Sequence, residues 1–442
     1  MTLHDDISRV DEAVGEALAR RLIEPDQGQR IRLVARLTGT LDPADDDKRA
    51  VPATSLADDL RVSPAAIHEH VTRLHDLGFG IEGVAGTGYR LSSPFSDLLV
   101  GEAVLPLLLA APERGAGEYQ AARDARDAVK ARARGMTGVG AGGNAGAIAP
   151  DPRAGAIFWT SAAMRLREGK FFAGLPYRYE ACTDSTNRHL KAMAPSGLAS
   201  GAVAVTDRQE SGRGRLGRRW ISEPGKDLTF SVLLRPRLMP GKAHLLSLAA
   251  AVAVAETLEN LPGLQAGSSA GPVVTVKWPN DVFLAGKKVC GILLEGSMDA
   301  DRLHWAVAGL GLNVNGAPEA ALEACGEDRS GRAVPVSLLE YLGREVPRGW
   351  LLAQLLERLA VRWGELESGI PSPDCVDLRT ALRERDALAG SRVLVCSGLR
   401  EEEVVASGVA AGIGPGGELL VRETSGAVRA VIAGEVTVEP AP

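Results

Sequence analysis

A chain of 442 residues is too long for one ordinary hydrophobic core, so we expect two to four domains. With 45% hydrophobic and 24% charged residues it has the composition of a globular protein, and its net charge of -6 argues against a nonspecific nucleic-acid coat. A small DNA-reading module remains compatible with that charge.

The cysteines and the apolar runs bear on the compartment. Five cysteines, an odd number without a Cys-x-x-Cys spacing, favour neither a disulfide framework nor a zinc site and fit a reducing cytoplasm. The N-terminus is polar, and the apolar runs Leu98–Ala111 and Leu245–Ala255 are too short or too interrupted to span a bilayer. We therefore expect a cytoplasmic protein without membrane contact.

Residues 1–95 are predicted to form an N-terminal domain that begins with helices. Helical spacing occurs in Val14–Leu22 and Ile31–Leu37. A further short helix is predicted over Leu56–Leu60, with Thr54 or Ser55 as its N-cap.

A second short helix and a hairpin complete this domain. Ser63 is the predicted N-cap, and Pro64 takes the first helical position. Phe79–Leu91 then alternates around a Gly-rich turn, which predicts a β-hairpin. Two helices joined by a tight turn and followed by a hairpin are the outline of a winged helix-turn-helix.

The second helix of this module carries the candidate DNA contacts, but its charge is unfavourable. Arg73 is its only permanent cation, and Glu69 facing phosphates would cost affinity. Two interpretations stay open: a module that binds operator DNA, or a winged helix retained for packing or for a homodimer. The candidate contacts are Ser63, His68, His70 and Arg73.

Residues 96–172 are predicted to be a linker or insertion, because 112–155 are rich in Ala and Gly and offer little to bury. Residues 173–388 alternate strand and helix patterns, and 389–442 contain short β-type runs separated by Gly-rich turns, as in a small barrel. The predicted helices of the large domain are Ser185–Met193, Ala243–Leu261, Ser337–Leu342 and Trp350–Glu367, and its predicted strands are Val203–Thr206, Leu228–Leu234, Val273–Trp278, Val282–Leu284, Val289–Leu294 and Trp305–Val314.

A loop rich in glycine and arginine, Gly212–Trp220, is the first candidate for chemistry. Its spacing satisfies G-x-G-x-x-G, but a dinucleotide-binding fold needs these glycines to open a helix. Here Ser222-Glu223-Pro224-Gly225 and a strand follow, so we reject that interpretation. Four arginines among three glycines suit a polyanion, since backbone amides approach closely and guanidinium groups hold phosphate or carboxylate oxygens. A solvated basic loop or a nucleic-acid contact is the alternative.

The second candidate is Lys277-Trp278-Pro279-Asn280-Asp281, followed by Lys287 and Lys288 on the next strand. A lysine entering an apolar run usually lies at a sheet edge with its ammonium in water. Two lysines with an Asn-Asp pair on one hairpin exceed what an edge needs. They can offset the charge of a triphosphate and of a carboxylate attacking it.

The third candidate is Asp184-Ser185-Thr186-Asn187. Ser185 or Asp184 is expected to cap the helix that follows. Three consecutive small hydrogen-bonding side chains are more than a cap requires, and they suit a polar ring such as a ureido group. Gln209 is placed to add an amide.

Together and in this order, the motifs resemble those of biotin–protein ligases. They are Asp-Ser-Thr-Asn, then Gln209 and Gly-Arg-Gly-Arg-x-Gly-Arg-x-Trp, Lys-Trp-Pro-Asn-Asp, and Lys-x-x-Gly-Ile-Leu-Leu-Glu. The resemblance runs from about Gly174 to the C-terminus, and the N-terminal module resembles that of the bifunctional ligase and biotin-operon repressors. The resemblance implies an α+β fold: a mixed sheet with helices related to class II aminoacyl-tRNA synthetases, plus an SH3-like C-terminal domain.

The resemblance also implies a reaction and its site. Biotin and Mg-ATP would give biotinyl-5′-AMP, and a lysine of a biotin carboxyl carrier domain would then attack it. Lys288 and Arg213 would be catalytic, with Asp281 a possible contact for the magnesium. The implied biotin contacts are Ser185, Thr186, Asn187, Gln209, Arg213, Gly214, Arg215 and Lys288. The implied ATP and adenylate contacts are Gly212, Arg215, Gly217, Arg218, Trp220, Lys277, Asn280, Asp281, Asn313 and Asn315.

Two alternatives remain. A lipoate or octanoate ligase shares the implied fold but lacks the combination of Lys-Trp-Pro-Asn-Asp with Gly-Arg-Gly-Arg. A transcription factor that senses biotin adenylate through an inactive ligase domain could do without Lys288 and the arginine loop. Both of these features are present, which favours catalysis.

Overall fold

The computed structural model describes residues 25–38, 50–91, 177–264, 272–326, 333–369, 376–397 and 403–439, together with Asp11, Val14 and Val104. Almost all of the predicted linker 96–172, and the predicted helix Val14–Leu22 apart from its first residue, lie outside the described residues.

The N-terminal module is a three-helix unit with a hairpin, as predicted. Its elements are α1 (Pro25–Thr38), α2 (Ala53–Leu60), α3 (Pro64–Asp76), β1 (Ile81–Val84) and β2 (Gly88–Leu91). The strands are antiparallel, and apolar side chains from all three helices and both strands form a core of their own. The periodicity that predicted a helix around Ile31–Leu37 is the buried face of α1.

The caps of the two short helices differ from each other. Ser63 caps α3 as predicted, because its side chain accepts a hydrogen bond from Ala66 N at 3.1 Å. The predicted cap of α2 is wrong: the helix begins at Ala53 after Pro52, so Thr54 and Ser55 lie inside its first turn, and it has no side-chain cap. Since Pro52 carries no N–H and fixes its own φ, the helix can begin there without a polar cap.

The central unit is a mixed seven-stranded sheet in the order β3-β4-β5-β9-β8-β7-β6. Strands β3 and β4 are parallel, and every other neighbouring pair is antiparallel. The strands are β3 (Tyr177–Thr183), β4 (Val203–Gln209), β5 (Leu228–Leu234), β6 (Val274–Lys277), β7 (Asp281–Leu284), β8 (Lys287–Met298) and β9 (Leu303–Leu312).

Helices cover this sheet. On one side α4 packs on β4 and β5, and on the other α5 and the long α8 pack together. The segment Pro240–Glu259, which contains α5, is long and apolar enough to cross a membrane, but it is largely buried inside the protein, as expected of a core helix. The helices are α4 (Thr186–Met193), α5 (His244–Glu259), α6 (Pro318–Ala324), α7 (Leu338–Leu342), α8 (Arg348–Ser368) and α9 (Leu378–Glu384).

The C-terminal unit is an antiparallel five-stranded sheet in the order β13-β12-β11-β10-β14. Its buried side chains belong to the same hydrophobic cluster as the central sheet. The Trp278 indole donates to Gly417 O at 3.0 Å, which fastens the central sheet to this unit. The strands are β10 (Arg392–Cys396), β11 (Val404–Ile413), β12 (Leu419–Arg422), β13 (Val428–Val431) and β14 (Glu435–Val438).

Candidate active site

One cleft gathers most of the predicted residues on the face of the central sheet that carries α4. Fourteen of them line it: Ser185, Thr186, Asn187, Gln209, Arg213, Gly214, Arg215, Arg218, Trp220, Lys277, Asn280, Asp281, Lys288 and Asn313. Gly212, Gly217 and Asn315 are not among the lining residues. Lining residues that the sequence did not predict include Thr229, Phe230, Gly291, Gly309, Gly311 and Glu435.

The glycine–arginine loop, residues 212–220, folds back on itself. Gly214 N donates to Arg218 O at 2.7 Å, and Trp220 N donates to Gly212 O at 3.0 Å. A Cβ on Gly212 would lie 2.3 Å from Trp220 O, so only glycine permits this approach. Gly212 therefore allows the two ends of the loop to pair closely, although it does not line the cleft itself.

Two arginines fasten this loop to segments far away in the chain. Arg215 donates from Nη1 to Asn280 Oδ1 at 2.9 Å and from Nη2 to Gly434 O at 3.0 Å. Arg218 donates to Glu435 Oε1 at 2.5 Å. The C-terminal unit therefore contributes Glu435 to the wall of the cleft and holds the loop over it. Motif spacing gives no signal for Glu435, because its partner lies 217 residues away.

Trp220 closes the loop, and its indole lies across the sheet. A Cβ on Gly311 would be 2.1 Å from Trp220 Cε2, and one on Gly291 would be 3.2 Å from Cζ3. The two glycines are register partners on β9 and β8. Because neither carries a side chain, the indole can lie directly against the backbone of both strands, where it forms an aromatic part of the cleft wall.

The lysine cluster lies at the β7–β8 hairpin. Lys288 Nζ is 2.8 Å from Asp281 Oδ1, and its side chain is only 26% exposed. Lys277 also faces the cleft; burial lowers the pKa of its ammonium, opposed in part by Asp281 and Glu435. These lysines are therefore partly buried around a carboxylate, and the alternative of an edge lysine in open water does not hold.

The start of α4 supplies a polar floor. Ser185 caps the helix by accepting from Arg188 N at 3.5 Å, as predicted. Thr186 N donates to Gln209 Oε1 at 2.9 Å. Ser231 on β5 has no exposed surface and lies 2.7 Å from the Thr186 hydroxyl and 2.6 Å from Asn187 Oδ1. Sequence reasoning missed Ser231 because a lone serine in an apolar run gives no motif.

The two asparagines after β9 have different positions. Asn313 lines the cleft and donates to Val336 O at 3.2 Å. Asn315 does not line it: its Nδ2 donates to Val346 O at 3.0 Å and its Oδ1 accepts from Val346 N at 2.9 Å. The expectation that Asn315 contacts the adenosine is therefore corrected, because both ends of its amide are occupied in fastening the segment before α8.

The four predicted DNA-contacting residues also differ in their positions: some are exposed and others are buried or already occupied. His70 is only 8% exposed and belongs to the module's interior, where burial lowers the pKa of its imidazole, so its assignment to a DNA contact is wrong. His68 lies at the surface with its Nδ1 3.1 Å from Tyr89 Oη. Arg73 is exposed and 3.5 Å from Asp76, and Ser63 is occupied as the α3 cap.

Comparison with known proteins identifies relatives of this chain. Residues 179–313 match the model of the biotin/lipoate A/B protein ligase family, and 45–90 match an HTH domain. The biotin–[acetyl-CoA-carboxylase] ligase of Paracoccus denitrificans is 33% identical over 246 residues, covering 56% of this chain and 94% of the relative. The bifunctional ligase/repressor BirA of Bacillus subtilis is 32% identical over 178 residues, covering 40% of this chain and 50% of that protein.

Residues 179–313, which contain most of the cleft-lining residues, thus belong to the class of biotin and lipoate ligases. Since the chain covers nearly the whole Paracoccus ligase, it belongs to the biotin–protein ligase family. It spans only half the length of the Bacillus relative that it matches. A solved biotin protein ligase from Aquifex aeolicus, in complex with biotin and ATP, aligns with a TM-score of 0.46 at 25% identity, over 60% of this chain and 99% of that one.

Proposed function

We propose that this protein activates biotin with ATP as biotinyl-5′-AMP and transfers the biotin to a lysine of a biotin carboxyl carrier domain. One observation carries the proposal: a cationic cluster around Lys288 and a polar floor at Thr186 and Gln209 share one cleft. A ligand with a polar ring at one end and a carboxylate at the other matches these two parts.

The residues have distinct tasks in this mechanism. A biotin carboxylate oxygen attacks the α-phosphorus of ATP, and the bond to pyrophosphate breaks. Both reactants are anions, so Lys288, Lys277 and Arg213 lower the barrier by offsetting their charge as the transition state forms. Trp220 offers an aromatic face for the adenine. The loop at 212–220 covers the adenylate and excludes water until the carrier arrives.

The second step uses the partner's nucleophile. The carrier's lysine amine attacks the carbonyl of the mixed anhydride, the bond to AMP breaks, and the amine proton is released. No nucleophile of this chain is needed.

Magnesium would enter with ATP. Within the described ranges no group of three or more His, Cys, Asp or Glu residues is arranged to hold a metal by itself. Magnesium is usually bound by one or two carboxylates together with substrate phosphates, and Asp281 in the cleft fits that role. The ion would shield the charge of the phosphates.

A second function is supported by the HTH match at 45–90: biotin-dependent repression through operator DNA. Residues 50–91 contain three arginines and five acidic residues, so few phosphate contacts are available. We therefore propose weak DNA binding that needs a homodimer. We also propose a cytoplasmic location, a catalytic sheet of the class II synthetase type and an SH3-like C-terminal sheet.

The test is a biotinylation assay. Purified protein, biotin, Mg-ATP and a carrier domain should yield biotinylated carrier, and no product alongside a working control ligase would refute the proposal. Lipoylated carrier formed in preference to the biotinylated one would indicate the lipoate alternative. Biotin-dependent binding to a biotin-gene promoter fragment without any ligation would indicate an adenylate sensor.

The contribution of Lys288 to adenylate formation can be measured with the neighbouring Lys287 as a control. We expect Lys288→Ala to lower the rate of adenylate formation by about 10²–10³-fold, the range for removing one charge-stabilising group from a transition state. Lys287→Ala is the matched control, since Lys287 is exposed and outside the cleft lining. Pyrophosphate release measures the rate. A wild-type rate in Lys288→Ala would remove this lysine from the mechanism.

A further inference from the structure

Glu295 on β8 lies beyond the cleft-lining residues and has no role in the reaction described above. Its carboxylate accepts hydrogen bonds from Asn187 Nδ2 at 2.9 Å and from Lys191 Nζ at 2.5 Å. Burial acts to raise the pKa of this carboxyl, but these two hydrogen bonds and the nearby charges of Lys191 and Arg213 outweigh it, so that the pKa is lowered. Glu295 is therefore an anion at neutral pH, and an ionised carboxylate can only accept hydrogen bonds.

The orientation of Asn187 follows from that restriction. Its amide must turn the NH₂ group toward Glu295, where Leu293 O is also within 3.4 Å. The amide oxygen then faces the Ser231 hydroxyl at 2.6 Å. An amide oxygen only accepts, so the single proton of Ser231 is donated to Asn187. The space for this amide is reserved by Gly309, where a Cβ would lie 2.2 Å from Asn187 Oδ1.

The same reasoning reaches Thr186. The hydroxyl oxygens of Ser231 and Thr186 are 2.7 Å apart, a distance that requires a proton between them. Since Ser231 has already donated its proton, the proton between them belongs to Thr186. The Thr186 hydroxyl is also 3.3 Å from Gln209 Oε1, but its single proton is committed to the shorter contact with Ser231. The Thr186 hydroxyl lies at the cleft and therefore turns only lone pairs toward a ligand.

We propose that Glu295 sets the direction of the hydrogen-bond chain Asn187–Ser231–Thr186, so that Thr186 accepts from the ligand and the site selects a ring with an N–H at that point. The proposal rests on the proposed function, in which the ligand is biotin and the N–H belongs to its ureido ring. Glu295 lies outside the cleft lining and acts through Asn187 and Ser231, so it is a positioning residue. Its Oε1 also lies 3.7 Å from Arg213 Nη1, and the KM for ATP therefore measures whether a substitution at Glu295 disturbs that arginine.

The test replaces the carboxylate with an amide in the full chain. In Glu295→Gln the new amide can donate to Asn187 Oδ1, which allows the chain to reverse and Thr186 to donate into the cleft. The ligands are biotin and two carbamate analogues, in each of which one ureido N–H is replaced by oxygen. Calorimetry gives their Kd values, and pyrophosphate release gives the KM values for biotin and ATP.

We expect wild-type protein to bind one carbamate at least tenfold more weakly than biotin. In Glu295→Gln the Kd and KM for biotin should rise about tenfold, the preference over that carbamate should shrink to less than threefold, and the KM for ATP should stay the same. Asp299→Asn is the matched control: its carboxylate lies on the same hairpin, is exposed, and among the described residues bonds to Asp301, Arg302 and His304. It should leave all values unchanged.

A double variant separates this relay from general damage to the fold. Ser231→Ala interrupts the chain between Glu295 and Thr186, so adding Glu295→Gln to it should cause no further loss of biotin affinity. Losses that multiply in the double variant would overturn the proposal, as would a Glu295→Gln protein that keeps the wild-type preference for biotin over both carbamates. A wild-type protein that neither binds nor activates biotin would overturn the proposed function as well.

Discussion

At the scale of single residues, the glycines of β8 and β9 are as important for the shape of the cleft as the charged side chains are for its electrostatics. Gly291 and Gly311 leave the room that the Trp220 indole fills, and Gly309 leaves the room for the Asn187 amide. The sequence motifs draw attention to the tryptophan and the asparagine. The structure shows that each depends on glycines far away in the chain: Trp220 on Gly291 and Gly311, and Asn187 on Gly309.

Gly311→Ala should therefore impair nucleotide binding. The added methyl group would begin 2.1 Å from Trp220 Cε2, so the indole must move away from the sheet. We expect the affinity for ATP to fall about tenfold, since stacking of a base on an aromatic ring contributes ~1–3 kcal/mol. Gly241→Ala is the control, because nothing lies within 4 Å of a Cβ there. An unchanged Kd for ATP in Gly311→Ala would contradict this role of Trp220.

Loss of the Lys277 proton should weaken ATP binding at alkaline pH, which would appear as an alkaline limb in the pH profile of the KM for ATP. Burial lowers the pKa of its ammonium, with Lys288 and Arg218 acting in the same direction and Asp281 and Glu435 against them. Rising pH removes a positive charge that attracts phosphate, so the KM for ATP should rise with pH, with a midpoint below the usual lysine value of about 10.4. In Lys277→Arg the charge persists and the limb should flatten. The same limb in both proteins would assign it to another group.

At the scale of elements, prediction succeeded where the pattern is set by the element's own burial. The apolar runs of β5 and α5 were found almost to the residue, because both elements are nearly fully buried. The edge strand β3 was missed, since its side chains are mostly half-exposed and show no alternation. The strand β14 and the short helices α6 and α9 were missed too, because four to seven residues give too little pattern.

The glycine–arginine loop illustrates what local sequence cannot contain. Its composition predicted anion binding, and three of its arginines, Arg213, Arg215 and Arg218, line the cleft. Its attachment to Gly434 and Glu435 was not predictable, because it depends on how the C-terminal sheet docks on the central one. A short stretch of sequence shows which residue types a loop contains. The contacts between distant units depend on the packing of the whole chain.

Glu435→Gln tests this attachment. It removes the charge that holds Arg218 and should speed dissociation of the adenylate about fivefold, corresponding to the ~1 kcal/mol of a partly buried charge-assisted hydrogen bond. Glu439→Gln removes a carboxylate that pairs with Arg392 at 3.2 Å on the surface, and it should have no effect. Retention of labelled adenylate on the protein is the measurement. Equal rates in the two variants would show that the C-terminal sheet does not restrain the loop.

At the scale of the whole molecule, the described residues form two large cores of unequal size. The N-terminal module of α1–α3, β1 and β2, called the winged module below, has a hydrophobic cluster of its own. The central sheet and the C-terminal sheet share a second hydrophobic cluster. Half-buried Tyr179 on β3 packs against both clusters. Cooperative units follow cores, so the central and C-terminal sheets should unfold together and the winged module separately.

Scanning calorimetry should therefore resolve two transitions. Biotin alone at about 100 times its Kd should stabilise only the larger unit, by roughly 2.7 kcal/mol, because every residue of the cleft lies between Ser185 and Glu435. This corresponds to a rise in Tm of about 5–10 °C for a unit of that size. A single transition, or an equal shift of both, would show that the winged module is coupled to the ligase core.

The position of Trp220 also gives the protein an optical probe of its own. Trp278 and Trp363 are sealed in the core and donate their indole N–H groups to Gly417 O and Leu246 O, so they supply a steady emission background. The Trp220 indole instead lies in the cleft wall, where an arriving aromatic ligand changes what surrounds it. Occupancy of the cleft can therefore be followed in real time by intrinsic fluorescence, without attaching a dye to either partner.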